Sequence, residues 1–480
     1  MRVIVYLGSD YNGLNATVSQ VLIVLGLIEG GFTTASLVAL YKPYASNDEL
    51  MINKILSTTK GKFQKIGLLT FIAGIIICVV YSFLIKTSID YWTVLLIFLM
   101  SVVSMSFNVF YVAKFRLLYQ VSQNDYMISL VGFATSALSL IITLVVFEIT
   151  RSILLLRLIA MVFAILNGLI IAIVAKRKFK FVSFKKEHED IVIKGTKDVL
   201  IGKVTDFVYT SASIFFISSF IGTTQTSIFA VYNNVVIMVV GLIVAIIASP
   251  ANALGQVVGE GNKQRLKELF DEYEYDVILI SSIILSVTFI MILPFVRIFT
   301  AKATDADYIQ PILALILVLT PFFQMIHIPS GLLINYTGHF RAVRIIQTIM
   351  CVFISVTSLI GALLFGLYGI MIAKLISNFV LVGMEVFYSR KKLLLCGFKS
   401  FFRNATPNFI FASIIAAGGF YFTNQFKTTW TGFFLLGFLV LIINTILFTL
   451  FNSVVYKKEF GGVVNRVQLL IKPIVNRFKK

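Results

Sequence analysis

Residues 6–54 carry the stretch that decides the fold, and they read YLGSDYNGLNATVSQVLIVLGLIEGGFTTASLVALYKPYASNDELMINK. Within this stretch, residues 14–40 are apolar enough and long enough to cross a bilayer. Glu29 lies near the middle of the run, where a carboxylate costs roughly 2.5–3.5 kcal/mol on insertion scales. Its depth predicts a partner, a proton or water for the carboxylate. Two roles stay open: a buried ion pair, or a coupling-ion or substrate-gating group.

A similar pattern recurs about 214 residues later, where residues 220–270 read FIGTTQTSIFAVYNNVVIMVVGLIVAIIASPANALGQVVGEGNKQRLKELF. Gly8 aligns with Gly222, and Ala16 aligns with Ala230. Each copy has a short glycine turn, a long apolar span and a charged tail. A repeat of this kind predicts two related halves of one transporter.

The composition is that of a polytopic membrane protein. Of the 480 residues, 58% are hydrophobic and only 13% are charged, whereas soluble domains carry about 25% charged residues. The net charge of +19 comes from loop lysines and arginines, as the positive-inside rule predicts, so it does not indicate nucleic acid. Three widely spaced cysteines predict neither a disulfide framework nor a metal site.

Apolar runs of about 20 residues predict thirteen membrane spans. They are residues 14–40, 65–85, 92–113, 126–149, 153–175, 199–221, 227–257, 276–299, 308–337, 343–365, 367–389, 405–423 and 431–452.

Loop charges predict the orientation of these spans. With the first span running inward, the inner loops hold 32 lysines and arginines and the outer loops hold four. The amino terminus of the chain as given is then outside and the carboxyl terminus is cytoplasmic. The outer loops are all short, so they leave no room for a folded extracytoplasmic domain.

The predicted organisation has five parts. These are an N-terminal helical bundle (1–175), a cytoplasmic linker (176–198), a second bundle (199–389), two additional helices (390–452) and a basic cytoplasmic tail (453–480). Prolines in the second half are expected to kink their spans, because each removes a helix hydrogen bond. These prolines are Pro250, Pro294, Pro311, Pro321 and Pro329.

The blocks YLGSDYNGLNATVSQVL and LGLIEGGFTTASLVALYKPYASND, with SSFIGTTQTSIFAVYNN and GNKQRLKELF further on, resemble the polysaccharide flippases. These Wzx-type proteins form the oligosaccharide branch of the multidrug/oligosaccharidyl-lipid/polysaccharide exporter superfamily. The likeness extends over essentially the whole chain in span order and loop charge. Its motifs are specific in the first two blocks and diffuse elsewhere.

The resemblance implies an all-α fold with two pseudo-two-fold-related helical bundles around a central cavity, followed by two C-terminal helices. It also implies transfer of an undecaprenyl-pyrophosphate-linked sugar unit from the inner to the outer leaflet. Members of the family have fourteen helices, and the first precedes the YLGS block. Only MRVIV stands there in this chain. We therefore expect five spans in the first bundle and six in the second, with Met1 either a misplaced start or the start of a shortened gene.

Charged residues inside spans are the candidate site residues, since such charges are costly and often functional. Lys374 is interpreted as a cation that lines the cavity or pairs with a carboxylate. Lys203 and Asp206 share a helix face and either neutralise each other or line an inner gate. Arg157 either snorkels to the interface or serves the outer mouth of the cavity. His327 is interpreted as a hydrogen-bonded helix residue rather than a proton relay.

The sequence is interpreted as that of a flippase in the bacterial inner (plasma) membrane that works by ion-coupled alternating access. Its expected partners are lipid-linked oligosaccharide and membrane lipid, with a polysaccharide polymerase and export machinery as further candidates. No phosphate-binding loop, catalytic residue or cofactor is indicated. The alternatives are a multidrug or metabolite exporter of the same superfamily and, less favoured, a polysaccharide polymerase.

Overall fold

The computed structural model describes residues 2–122, 124–183, 213–260, 262–423 and 429–462. Nearly all of these residues are helical, and none of them lies in a β-strand. The predicted all-α class is therefore confirmed. The chain divides into two compact units, with the boundary between Ser227 and Ile228.

The first unit contains seven helices in the described ranges, together with the start of the next. They are α1 (Arg2–Leu7), α2 (Ser9–Ala45), α3 (Glu49–Leu84), α4 (Tyr91–Phe107), α5 (Ala113–Val121), α6 (Asp125–Thr150), α7 (Ile153–Lys178) and the first turn of α8 (Thr223–Glu260). A π-helical segment, Asn108–Val112, joins α4 to α5 without a turn. Two clusters of buried apolar side chains, centred on α2, α3, α4 and α7, form the core of this unit.

The second unit contains the rest of α8 and six further helices in the described ranges. They are α9 (Lys263–Phe299), α10 (Pro311–Ile326), α11 (Ile328–Tyr336), α12 (Phe340–Tyr388), α13 (Lys399–Thr423) and α14 (Trp430–Val455). Buried asparagines connect the last helix to its neighbours: Asn444 donates to the carbonyl of Ile283 over 3.1 Å, and Asn452 accepts from the Tyr275 hydroxyl over 2.7 Å.

Side-chain caps mark where several helices begin, because the first backbone amides of a helix lack partners within it. Asp48 accepts from the Met51 amide and Asp90 from the Thr93 amide, each over 2.9 Å. The hydrogen bond from the Thr93 backbone amide is the main reason that the pKa of the exposed Asp90 carboxyl is lowered. The polar residues between the predicted spans thus define helix starts.

Ten helices in the described residues are long and apolar enough to cross a membrane, so the chain is a multi-pass membrane protein. Each of these ten helices overlaps a predicted span, and several extend beyond the predicted ends. Most of the predicted span 199–221 lies outside the described residues. The predicted span 92–113 continues through the π segment to Val121, and α3 begins 16 residues before the predicted span 65–85.

The predicted spans 343–365 and 367–389 form one helical run that breaks at Gly366, where φ is +58°. Gly361 and Gly369 face each other across this break. A Cβ on Gly369 would lie 2.0 Å from the Gly361 carbonyl oxygen, so the two halves of the hairpin approach closely only because both residues are glycine.

Three of the five prolines lie inside helices, as the kink prediction requires, and for the other two that prediction is wrong. Pro250, Pro294 and Pro321 lie inside helices, whereas Pro311 and Pro329 stand in the first turn of α10 and α11. A proline in the first turn removes no internal hydrogen bond, so it starts a helix instead of kinking one.

Candidate functional site

The two glycines aligned by the sequence repeat adopt the same kind of turn. Gly8 has φ +92° and Gly222 has φ +137°, and each precedes a long helix. The helices that follow cross closely, since a Cβ on Gly13 would lie 1.9 Å from the carbonyl oxygen of Thr223. Larger side chains at Gly13 would separate these helix ends.

Asp10 joins three segments at this end of the first unit. Its carboxylate accepts from the Thr223 hydroxyl over 2.8 Å, from the Thr224 hydroxyl over 2.5 Å and from the Ser88 amide over 3.2 Å. Burial raises the pKa of the Asp10 carboxyl, but these hydrogen bonds outweigh it and the net pKa is lowered. The carboxylate is therefore held in its charged form.

A cavity of about 290 Å³, with a mainly apolar wall that also carries polar groups, lies in the first unit between α2, α4 and α7. Its wall consists of Leu22, Met100, Ser101, Ser104, Met105, Asn108, Arg157, Ala160, Met161 and Ala164. The Arg157 guanidinium donates to the side-chain oxygen of Asn15. Among the residues that the structure describes, no carboxylate lies within ion-pair distance of Arg157. The cavity therefore contains a cation held by a neutral amide.

Asn108, also in the cavity wall, lies where α4 changes to the π segment. Its amide donates to the Ser104 carbonyl over 2.9 Å, and its oxygen accepts from Arg116 over 3.1 Å. The neighbouring helices come close at glycines: a Cβ on Gly168 would lie 2.6 Å from the Val112 side chain, and one on Gly67 would lie 2.7 Å from Phe110. Short π segments of this kind often occur at functional sites.

Arg116 is a functional candidate that the sequence did not reveal, since it lies between the predicted spans 92–113 and 126–149. The structure places it on α5, where the negative charge of Glu29 acts on its guanidinium. Glu29 is half-buried and accepts from the Thr33 hydroxyl over 3.1 Å. A carboxylate as deep as Glu29 needs a nearby positive charge, and this need was the sign in the sequence that such a residue exists. The sequence did not identify Arg116 as that residue.

The second unit holds a different pair. The Nδ1 atom of His327 lies 2.9 Å from the Glu385 carboxylate, at the junction between α10 and α11. The side chains are 18% and 11% exposed, and the carboxylate lies against Gly331, where a Cβ would be 2.7 Å from it. The structure thus shows His327 as a hydrogen-bonded residue.

The structure describes only one of the remaining predicted candidates. Lys374 is half-buried on α12 in the second unit, and Asn378 donates to its backbone carbonyl over 3.0 Å. Lys203 and Asp206 lie outside the described residues. The described part of the chain contains no cluster of residues that could hold a metal ion.

A second pocket, of about 490 Å³, lies in the second unit between α9, α10 and α13. Its wall is almost entirely apolar and includes Leu285, Phe289, Leu319, Phe322 and Phe409. Its chemistry suits an aliphatic chain and not a sugar or a phosphate.

Comparison with known proteins identifies the fold. No family model and no curated protein matches the sequence. The lipid II flippase MurJ, in an inward closed conformation, is similar in structure with a TM-score of 0.72 and 17% identity, over 95% of this chain and 95% of that chain. A multidrug resistance MATE family transporter of the MOP superfamily is similar in two conformations. The inward-facing form has a TM-score of 0.63 and 14% identity, over 81% of this chain and 94% of that one. The outward-facing form has a TM-score of 0.55 and 15% identity, over 80% and 88%.

The fold is therefore similar to that of the lipid II flippase MurJ and of the MATE family transporter. The neighbours are transporters and not enzymes. At 17% identity and below, the likeness establishes architecture and not substrate.

Proposed function

We propose that this protein is a flippase that moves lipid-linked oligosaccharide, joined through an undecaprenyl pyrophosphate, from the inner to the outer leaflet. Ion-coupled alternating access drives the step. The observation that carries the proposal is the cavity cation: Arg157 is bonded to an amide and so retains its charge for an anionic ligand. A guanidinium presents two parallel donors to a phosphate oxygen pair, which is the geometry that a pyrophosphate needs.

Two further features support this substrate class. The Ser101 and Ser104 hydroxyls donate to backbone carbonyls of α4, and their oxygens can accept hydrogen bonds from sugar hydroxyls in the same cavity. The apolar pocket in the second unit offers a surface for an aliphatic chain. An anionic head and a long apolar tail are the two parts of a lipid-linked sugar.

The rival function is export of drugs or metabolites. Cationic drugs call for a carboxylate-lined cavity, whereas the described cavity wall contains an arginine and no carboxylate. The polymerase alternative receives no support from the described residues, since the neighbours in fold are transporters.

The test uses the purified full chain in proteoliposomes with a labelled lipid-linked oligosaccharide. The readout is how fast the sugar becomes accessible to a membrane-impermeant oxidant. Arg157→Gln is expected to slow this step at least about tenfold, because a hydrogen bond to a charged group contributes roughly 1.5–3 kcal/mol. Arg157→Lys should retain part of the rate, since it keeps the charge but loses the paired donors.

The matched control is Arg151→Gln. Arg151 is an exposed arginine six residues away that packs over the Tyr6 ring and lies outside the cavity. Its variant should transport at the wild-type rate. Efflux of a cationic dye by the wild type, without sugar translocation, would favour the exporter and refute the proposal.

A further inference from the structure

One histidine and one glutamate meet inside the membrane spans of the second unit. His327 lies in the candidate span Pro311–Tyr336, and Glu385 lies in the candidate span Arg341–Leu393. At 1.5 Å per residue, His327 is roughly 14 Å and Glu385 roughly 12 Å from the nearer end of its span. Ionisable side chains at this depth are costly, and they are candidates for function.

The geometry of the pair leaves one ring nitrogen for proton exchange. The Nδ1 atom of His327 lies 2.9 Å from the Glu385 carboxylate. An ionised carboxylate only accepts hydrogen bonds, so Nδ1 then carries the hydrogen and Nε2 is the atom that can bind or release a proton. The side chains are 18% and 11% exposed, so water reaches the pair although most of its surface is buried.

One proton decides the net charge of this pair. With Nε2 of His327 unprotonated, a neutral imidazole lies beside a carboxylate and the pair carries one negative charge. With Nε2 protonated, the imidazolium and the carboxylate cancel. A buried uncompensated charge costs more than a buried ion pair, so loss of the proton favours a conformation in which Glu385 meets more water.

No second cation lies within ion-pair distance of Glu385 among the residues that the structure describes. Lys374 lies about three turns earlier on α12, roughly 16 Å along the helix axis. In the described part of the chain, a direct counter-charge for Glu385 therefore exists only while His327 is protonated. Further ionisable side chains on α9, α11 and the start of α12 are Asp271, Tyr273, Asp276, Tyr336, Arg341 and Arg344.

Other ionisable groups on the elements that pack against α11 have partners of their own. These elements are α9, α10, α12 and the π segment Ser389–Leu393. Arg390 in the π segment donates to Glu274, and the Tyr388 hydroxyl lies 2.8 Å from the Nδ1 atom of His339. The described helix α10 carries no ionisable side chain.

The pair lies where two helices meet and can change direction. His327 separates α10 from α11, and its backbone carbonyl accepts from the Gly331 amide over 3.0 Å. Glu385 lies against Gly331, and the neighbouring Ser389 donates to the Ser330 hydroxyl over 2.9 Å. The position of α11 thus depends on its contacts with the end of α12. Interrupted helices that hold the coupling ion are a recurring feature of transporters.

We propose that His327 and Glu385 bind the proton that drives alternating access. This rests on the proposed function, for which it names the coupling ion and the site. The proton is taken up at Nε2 of His327 from one side of the membrane and released from the same atom to the other side. Hard metal cations take several oxygen ligands, whereas this pair offers one carboxylate beside a ring nitrogen that exchanges protons near neutral pH. The sequence favoured a hydrogen-bonded role for His327, and its carboxylate partner adds the proton-binding one.

The test uses the full chain in proteoliposomes at zero membrane potential, with labelled lipid-linked oligosaccharide. The readout is the steady-state ratio of sugar between the two leaflets. With one proton exchanged per lipid, a gradient of one pH unit should shift the wild-type ratio by about tenfold. The double variant His327→Gln with Glu385→Gln keeps a neutral hydrogen-bonded pair, so it should fold, but its ratio should shift by less than twofold. A wild-type ratio that follows a sodium gradient and not the pH gradient would overturn the proposal.

The matched control is His339→Gln. His339 is exposed and bonds a neutral hydroxyl instead of a carboxylate. Its variant should keep the tenfold response. A double variant that responds like the wild type, or a control that loses the response equally, would contradict the assignment of the site.

Failure of the proposed function has a different signature, because proton binding is measured without substrate. Potentiometric titration of the solubilised protein compares the wild type with the double variant. The double variant should bind about one proton fewer between pH 5 and 8. If that difference is found while no proteoliposome translocates sugar, the proton site stands and the proposed function fails. Equal proton binding by the two proteins would overturn the proton site itself.

Discussion

Replacing Arg390 should destabilise the second unit more than the same replacement of a surface arginine. Arg390 lies in the π segment Ser389–Leu393, and its side chain is completely buried. It donates to the Glu274 carboxylate on α9 and, over 2.6 Å, to the Ser400 hydroxyl on α13. It also lies 3.4 Å from Asp271. One guanidinium therefore connects the start of α13 to α9.

The magnitude follows from the burial of both partners. Glu274 is 1% exposed, so Arg390→Met leaves its charge inside the protein without the guanidinium that compensates it. Breaking a buried ion pair from one side costs about 3–5 kcal/mol. For a unit of this size, we expect the thermal midpoint to fall on the order of 10 °C. Replacing both partners, Arg390→Met with Glu274→Leu, should recover most of the loss, because no buried charge remains.

The assay is thermal unfolding of the detergent-solubilised protein, followed by the fraction that stays monodisperse. The control is Arg403→Met, which removes an Arg–Glu pair of 2.7 Å at the start of α13. That pair, with Glu459, is 56% and 24% exposed. An exposed pair contributes under about 1 kcal/mol, so the control should unfold close to the wild type. Equal midpoints for the two single variants would refute the reasoning.

Three further predictions concern charge and orientation. Glu29→Gln should leave the protein inserted but slow sugar translocation, because Arg116 loses the charge that acts on it; normal transport at normal abundance would contradict a role for Glu29. Lys374→Ala should abolish transport and Lys374→Arg should retain part of it, measured in the same proteoliposomes; equal loss in both would argue for a structural lysine. Single cysteines placed in residues 176–197 or in the tail after residue 452 should resist an impermeant thiol reagent on intact cells, because those segments hold 15 of the 41 basic residues. Labelling of either segment would reverse the orientation.

The sequence predicted the fold well because apolar length is a strong signal. Each long apolar run in the described residues is helical. Helix ends were less predictable, since polar residues such as Lys114 and Arg116 continue α5 beyond the apolar window. The hairpin at Gly366 was also hidden, because two spans joined through one residue with φ +58° differ little in sequence from two spans with a short loop.

The candidate site was predictable in its charges but not in its contacts. Arg157 and Glu29 stood out because charges are rare within apolar runs. The partner of Arg157 is Asn15, 142 residues away, and an asparagine in a helix gives no sign of which helix it will face. Arg116 was missed because the positive-inside rule explains any basic residue near a span end, including one that contacts the cavity wall.

The chemistry of their partners separates Arg390 from Arg157, the arginine that we propose binds the substrate. The Arg390 guanidinium already donates to one carboxylate and lies near a second, so it would add little to the binding of a phosphate. The Arg390 side chain is also fully buried, so a phosphate could not reach it. Arg157 donates to a neutral amide and borders a cavity of about 290 Å³. Its positive charge is oriented by that hydrogen bond but not cancelled. A site that must bind and then release an anion needs this second arrangement, because a built-in carboxylate would compete with the ligand for the same donors.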